Sequence, residues 1–120
     1  MEIFKEFSFN AAHSLPNVAD DHKCKRIHGH NYLVRVVLEG ELNPKYGWVK
    51  DFTDIKTYFK PIKNELDHYY LNDIKGLENP TAEILTIWIW NKLKPKLKEL
   101  KEIHVYETPT SGCVYKGESF

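Results

Sequence analysis

Apolar and polar positions alternate from the start of the chain. Over 3–9, Ile3, Lys5, Phe7 and Phe9 fall on one side of an extended segment and Phe4, Glu6 and Ser8 on the other. The first side continues through Ala11 to His13. Residues 14–27 (SLPNVADDHKCKRI) break the alternation with a proline and paired aspartates, and read as a loop. A clearer strand spans 30–39, with Tyr32, Val34, Val36 and Leu38 on one face, Leu33, Arg35 and Val37 on the other, and Gly40 at its end. After a turn-rich link at 43–48 the period changes from two to 3.6. Ile55, Tyr58, Phe59, Ile62 and Leu66 trace one stripe of a helix over 53–66, with Thr53 or Asp54 as its cap. Pro61 inside that stretch predicts a kink or an early end.

Residues 67–80 form a second loop. Asn79 and Pro80 have the chemistry of the cap and first position of a second helix within 81–97. Ile84, Leu85, Trp88, Ile89 and Leu93 give that helix a broad apolar face, which Ile87 and Trp90 widen, so burial on more than one side is expected. Strands at 102–107 and 113–117, joined by TPTSG, close the chain. The order β-β-α-α-β-β predicts an α+β domain: an antiparallel sheet with both helices on one face. The 120 residues suit a single domain, 1–120, with no third layer to cover the other face of the sheet. That uncovered face predicts an oligomer.

Charge and cysteine content narrow the function. Seventeen Lys and Arg balance 17 Asp and Glu, which argues against a dedicated binder of nucleic acid or anionic membrane. No stretch has the length and apolarity of a membrane span, and the charged, alternating N-terminus is unlike a signal peptide. Two cysteines, Cys24 and Cys113, make no disulfide framework, so a reduced, cytoplasmic protein is the expectation.

Histidine is the outlier, at six residues, with three of them inside 21–30. His28 and His30 are two apart at the start of the best strand, so both imidazoles project to one side. A hairpin would bring His13, at the end of the first strand, beside them. Three histidines at one point fit a zinc site with an open fourth position. Cys24, between Lys23 and Lys25 and near Arg26, reads either as a fourth zinc ligand or as a base or nucleophile whose cationic neighbours favour the thiolate. Asp67 beside His68 can fix the tautomer of a proton-relaying ring. Glu107, ending a strand, can accept two parallel N–H bonds from a planar guanidine-like edge. His22 and His104 read as structural or exposed, and Cys113 as packing.

The segments FSFNAAH, CKRIHGHNY, GWVKDF, LDHYYLND, NPTAE, IWNKLKP and YETPTSGCVYKGE together resemble the 6-pyruvoyltetrahydropterin synthase family, from Phe7 to Glu118. Within it they are most similar to the queuosine-pathway branch, the 6-carboxytetrahydropterin synthases. The resemblance implies the tunnelling fold, in which sheets of several subunits close a barrel with helices outside. It implies trimers stacked into a hexamer, with active sites where subunits meet. It places the zinc ligands at His13, His28 and His30, the catalytic cysteine at Cys24, and the proton relay at His68 and Glu107, with Asp67 orienting the histidine. Glu107 also matches the anchor of the pterin's amino-pyrimidine edge. Thr81 matches one of two threonines near the pterin in pyruvoyl-type enzymes, the second position being Ala82 here.

The implied substrate is a pterin triphosphate, 7,8-dihydroneopterin triphosphate, converted to 6-carboxytetrahydropterin with loss of acetaldehyde and triphosphate. Zn²⁺ is the only cofactor implied. Cys24 stands four residues before His28, the spacing of the carboxy branch; the pyruvoyl branch, which eliminates triphosphate only, has the longer Cys-x5-His-Gly-His. A non-catalytic zinc-stabilised binding module is the alternative of another class. It would leave Asp67, His68 and Glu107 without a task.

Overall fold

The computed structural model describes residues 1–119. Four strands, β1 (Glu2–His13), β2 (His28–Glu39), β3 (Leu100–Thr108) and β4 (Ser111–Tyr115), form one antiparallel sheet in the order β1-β2-β3-β4. Two helices, α1 (Phe52–Leu66) and α2 (Ala82–Leu93), lie between the two hairpins in sequence and pack on one face of the sheet. The α+β architecture read from the periodicity is therefore the one observed.

The core fills the space between that face and the helices. Phe9, Tyr32, Val34, Val36, Leu38, Ile103 and Val105 meet Ile55, Phe59, Ile62 and Leu66 of α1 and Leu85, Ile89 and Leu93 of α2. Two stacked aromatic pairs span it, Phe7 on Phe59 at 4.1 Å and Phe9 on Tyr32 at 4.9 Å between ring centroids. The opposite face has no cover among the described residues: Phe4 and Val114 stand half-exposed there, beside an Arg35–Glu6 ion pair of 2.8 Å.

Three local expectations are corrected. The α1 cap is Asp51, whose carboxylate accepts from the Thr53 N–H at 2.9 Å, and neither Thr53 nor Asp54. Pro61 does not shorten α1, which runs from Phe52 to Leu66. Pro61 and Thr57, whose carbonyl loses its partner, are both exposed, so that carbonyl is not stranded in the core while four buried side chains hold the helix down. The α2 cap is Thr81, whose hydroxyl accepts from the Ile84 N–H at 3.1 Å; Asn79 and Pro80 precede the cap. Full burial on α2 is confined to Leu85, Thr86, Ile89 and Leu93; Ile84 is exposed, while Trp88 and Trp90 are half-buried against the core.

Segment 67–70, after α1, lies along the outer edge of β1. The Ala12 N–H donates to the Tyr69 carbonyl at 3.1 Å, the His68 N–H to the Asn10 carbonyl at 2.6 Å, and Ala12 and Tyr70 form a parallel bridge. This docking carries Asp67 and His68 to the end of the sheet where the β1–β2 hairpin ends in histidines.

Candidate metal centre and active site

The β1–β2 register sets His13 directly opposite His28, and Ala11 opposite His30. Antiparallel partners and i, i+2 neighbours share a face, so all three imidazoles converge. Ring centroids are 4.5 Å apart for His13–His28 and 5.0 Å for each remaining pair. One ring nitrogen from each lies within 4.8 Å of the others.

The outer nitrogens settle the tautomers. His13 Nδ1 lies 2.9 Å from the Pro80 carbonyl oxygen, and His28 Nδ1 lies 2.7 Å from that of Arg26. A carbonyl only accepts, so both Nδ1 atoms carry the proton and donate. In the neutral rings the two Nε2 atoms then face each other with lone pairs, 3.0 Å apart. Opposed lone pairs at that distance repel unless a cation lies between them. Two ligands on a tetrahedral Zn²⁺ stand about 3.3 Å apart, given bond lengths of about 2.0–2.1 Å. Burial is the main influence that pushes the His13 imidazole below its ordinary pKa; His28 and His30 add to it, against the Pro80 carbonyl and Glu107. The neutral ring is the form that ligates. His13, His28 and His30 are thus positioned to hold a metal ion.

Cys24 sits in a 3₁₀ turn, Lys23–Lys25, inside the 14–27 loop. Its N–H donates to His22 Nδ1 at 3.0 Å, and its carbonyl accepts from the Leu15 N–H at 2.8 Å. His22, expected to be structural or exposed, is an exposed cap that fixes the cysteine's backbone. Cys24 lines a cavity of about 440 Å³ with Lys23, His28, His30, Glu107 and Ser111. Of the flanking cations, Lys25 turns away, pairing with Asp20 at 2.9 Å and donating to the Pro16 and Val18 carbonyls. Among the described residues the metal-competent group contains the three histidines without Cys24.

Glu107 follows Ile103 and Val105 on the helix-facing side of β3, the side on which Tyr32 and His30 lie in β2, and it sits at a β-bulge. Tyr106 pairs with Gly112 and Thr108 with Ser111, so Glu107 has no partner in the β3–β4 ladder. Its carboxylate lies 3.8 Å from His30 Nε2. The bulge constrains its neighbour: a Cβ on Gly112 would stand 2.6 Å from the Val105 carbonyl and 2.8 Å from the Tyr106 ring.

Asp67 and His68 touch, with Oδ2 to Nδ1 at 3.1 Å. The Asp67 Oδ1 accepts from the Asn10 N–H at 3.0 Å. That bond, and then His68, hold its carboxyl below the usual carboxylate range. His68 has φ +65°, a left-handed conformation that costs strain for a non-glycine residue. Its ring is three-quarters exposed and borders a second cavity, of about 570 Å³, which His30 also lines. Cys24 does not line that second cavity and His68 does not line the first, so the two side chains border different cavities.

Thr81 serves as the α2 cap, while Ala82, Glu83, Glu107, Ser111 and Cys113 line a small cleft of about 180 Å³ beside Glu107. Cys113 is half-buried with its thiol 2.9 Å from the Thr86 hydroxyl, and burial raises its pKa, in keeping with a packing role. His104 is half-buried and pairs with Glu102 at 3.2 Å. Two contributors escaped the sequence reading. The Pro80 carbonyl carries no side-chain signal. Tyr32 continues the His28, His30 alternation onto the same face, and that spacing was there to be read.

Comparison with known proteins agrees with this geometry. The profile of the 6-pyruvoyl tetrahydropterin synthase family matches residues 2–118. A 6-carboxy-5,6,7,8-tetrahydropterin synthase from Synechocystis sp. is 44% identical over 119 residues, covering 94% of this chain and 91% of that one. A 6-pyruvoyl tetrahydrobiopterin synthase from Dictyostelium discoideum is 38% identical, covering 80% and 75%. The solved 6-pyruvoyl tetrahydropterin synthase of Caenorhabditis elegans superposes with a TM-score of 0.91 at 30% identity, covering 98% and 96%. With the family profile matched over residues 2–118 and the fold superposing on a solved member across almost its whole length, the chain belongs to the 6-pyruvoyl tetrahydropterin synthase family.

Proposed function

We propose that this protein is a 6-carboxytetrahydropterin synthase, a zinc-dependent lyase of queuosine biosynthesis acting in the cytoplasm. It takes 7,8-dihydroneopterin triphosphate and water to 6-carboxy-5,6,7,8-tetrahydropterin, acetaldehyde and triphosphate. The observation that carries the proposal is the meeting of Cys24 and Glu107 with His28 and His30 on one cavity, at the point where His13 completes a metal-competent cluster. The similarity to the Synechocystis synthase and the Cys24-to-His28 spacing favour the carboxy branch.

His13, His28 and His30 would hold the zinc, which would supply Lewis acidity to the hydroxyls of the substrate side chain. Glu107 accepts paired N–H bonds from the amino-pyrimidine edge of the pterin, fixing the ring so that the reacting carbons lie near both bases. Thr81, the α2 cap, is assigned a contact with the pterin by the family resemblance. Cys24, as thiolate, removes a proton from the side chain; His68, held by Asp67, returns or removes the second. A planar ring locked at one end leaves little freedom to the carbons at the other, so the two bases need not move.

Within one protomer Cys24 and His68 face different cavities. Among the described residues the sheet is open on one face and has unpaired edges along β4 and along the part of β1 that precedes the docked segment 67–70, which barrel closure removes. These features support a homohexamer of two trimers, each protomer one domain, with active sites where subunits meet. Light scattering on purified protein tests the assembly: a hexamer is expected, and a fully active monomer refutes it. Mass spectrometry of the product tests the reaction. 6-Carboxytetrahydropterin with acetaldehyde is expected; 6-pyruvoyltetrahydropterin alone would move the protein to the pyruvoyl branch, and an unchanged substrate would refute both.

A further inference from the structure

Tyr32 is fully buried on the helix-facing side of β2, two residues beyond His30. Its ring stacks on Phe9 and stands edge-on to His30 at 5.5 Å and to His13 at 6.0 Å. Its hydroxyl lies 3.2 Å from His13 Nδ1, the nitrogen that also donates to the Pro80 carbonyl at 2.9 Å. His13 itself is buried, at the far end of β1, with no second side chain hydrogen-bonded to Nδ1 among the described residues.

We propose that Tyr32 is a positioning residue of the metal centre. It locks the His13 ring in the orientation that aims Nε2 at the site. The Pro80 carbonyl selects the tautomer, because it can only accept. One hydrogen bond fixes the direction of an N–H but leaves the imidazole free to rock about that bond. The Tyr32 oxygen takes a second share of the same N–H from another direction and removes that freedom. Its ring, wedged against both His13 and His30, sets the angle between two of the three ligands. A phenol is suited to this place: buried aromatic area holds the ring, while the hydroxyl supplies a polar contact at its tip. The arrangement joins the centre to the main core through Phe9, and to the α2 entry through Pro80.

The inference rests on reading the three histidines as a metal site, and its test keeps the two apart. Apo-protein is titrated with Zn²⁺ in competition with a chromophoric chelator, for wild type, Tyr32→Phe and Phe9→Leu. Tyr32→Phe keeps the ring and removes only the hydroxyl. It is expected to weaken Zn²⁺ binding about tenfold, within the range for outer-shell partners. Phe9→Leu disturbs the stack under Tyr32 but keeps the hydroxyl, so it is expected to lower the apo-protein's melting temperature with a smaller loss of Zn²⁺ affinity. Wild-type affinity in Tyr32→Phe overturns the proposal. So does an equal loss in Phe9→Leu, which would make packing and not the hydroxyl the cause. Failure of the wild type itself to bind Zn²⁺ overturns the underlying metal reading as well.

Discussion

Replacing Cys24 by alanine separates a catalytic thiol from a structural one. The structure sets the size of each effect. Cys24 is only half-buried, stands outside the hydrophobic core, and its fixed contacts are made by its backbone N–H and carbonyl, which alanine keeps. The loss in stability is therefore expected within about 0.5 kcal/mol, as at surface positions free of special features. The metal-competent group is complete without the thiol, so zinc content is expected to be unchanged. Substrate binding is also expected to persist, because Glu107 and the three histidines remain. Turnover alone is expected to fall, by roughly 10² to 10⁴, the worth of a positioned proton-transfer group and equal to about 2.7–5.4 kcal/mol on the barrier. Zinc analysis, urea unfolding and product formation on one preparation give all three quantities. Joint loss of zinc and stability would show that Cys24 is a ligand, in line with a zinc-stabilised binding module. Normal turnover would remove the thiol from the mechanism and leave His68 as the remaining base.

His28→Ala is expected to lose most of its zinc and its activity, since the tautomer-fixed Nε2 pair is broken; full zinc by elemental analysis would contradict the assignment. Asp67→Asn tests the carboxylate that docks on Asn10. The folded-state pKa of Asp67 is depressed, so the stability it contributes is complete above its unfolded value of about 3.9 and fades as pH falls through the lower folded value. Thermal melts should therefore show the gap between wild type and Asp67→Asn narrowing as the pH drops below about 4, and a gap independent of pH there would refute the linkage. Phe59→Ala removes a fully buried ring stacked on Phe7 and is expected to cost about 3–5 kcal/mol in urea unfolding, with a loss under 1 kcal/mol arguing against that pair as a core element.

The alternation over 3–13 and 30–39 and the stripe at Ile55, Phe59, Ile62 and Leu66 determined the elements, because burial on one face imposes its own period on a chain. The His28–His30 spacing likewise determined that two imidazoles share a side, since a strand allows nothing else. Local cues were weaker where several residues compete for one task. Asp51, Thr53 and Asp54 can each cap a helix, and Asn79 and Thr81 another; which one does depends on where tertiary packing starts the helix. Pro61 shows the same ordering of forces, a local penalty outweighed by four buried side chains.

Other features were decided by tertiary structure alone. The alignment of His13 with His28 is a matter of hairpin register across a 14-residue loop, and the approach of Glu107 to His30 depends on the pairing of β3 with β2. The contact between His13 and the Pro80 carbonyl spans 67 residues and uses a backbone atom that every residue possesses. The division of Cys24 and His68 between two cavities follows from segment 67–70 docking on the β1 edge, away from the 3₁₀ turn that carries the cysteine. Sequence periodicity reports which side chains avoid water. Distances between residues far apart along the chain arise only when the sheet packs around its core, and in this protein those distances bring together three histidines positioned to hold a metal ion.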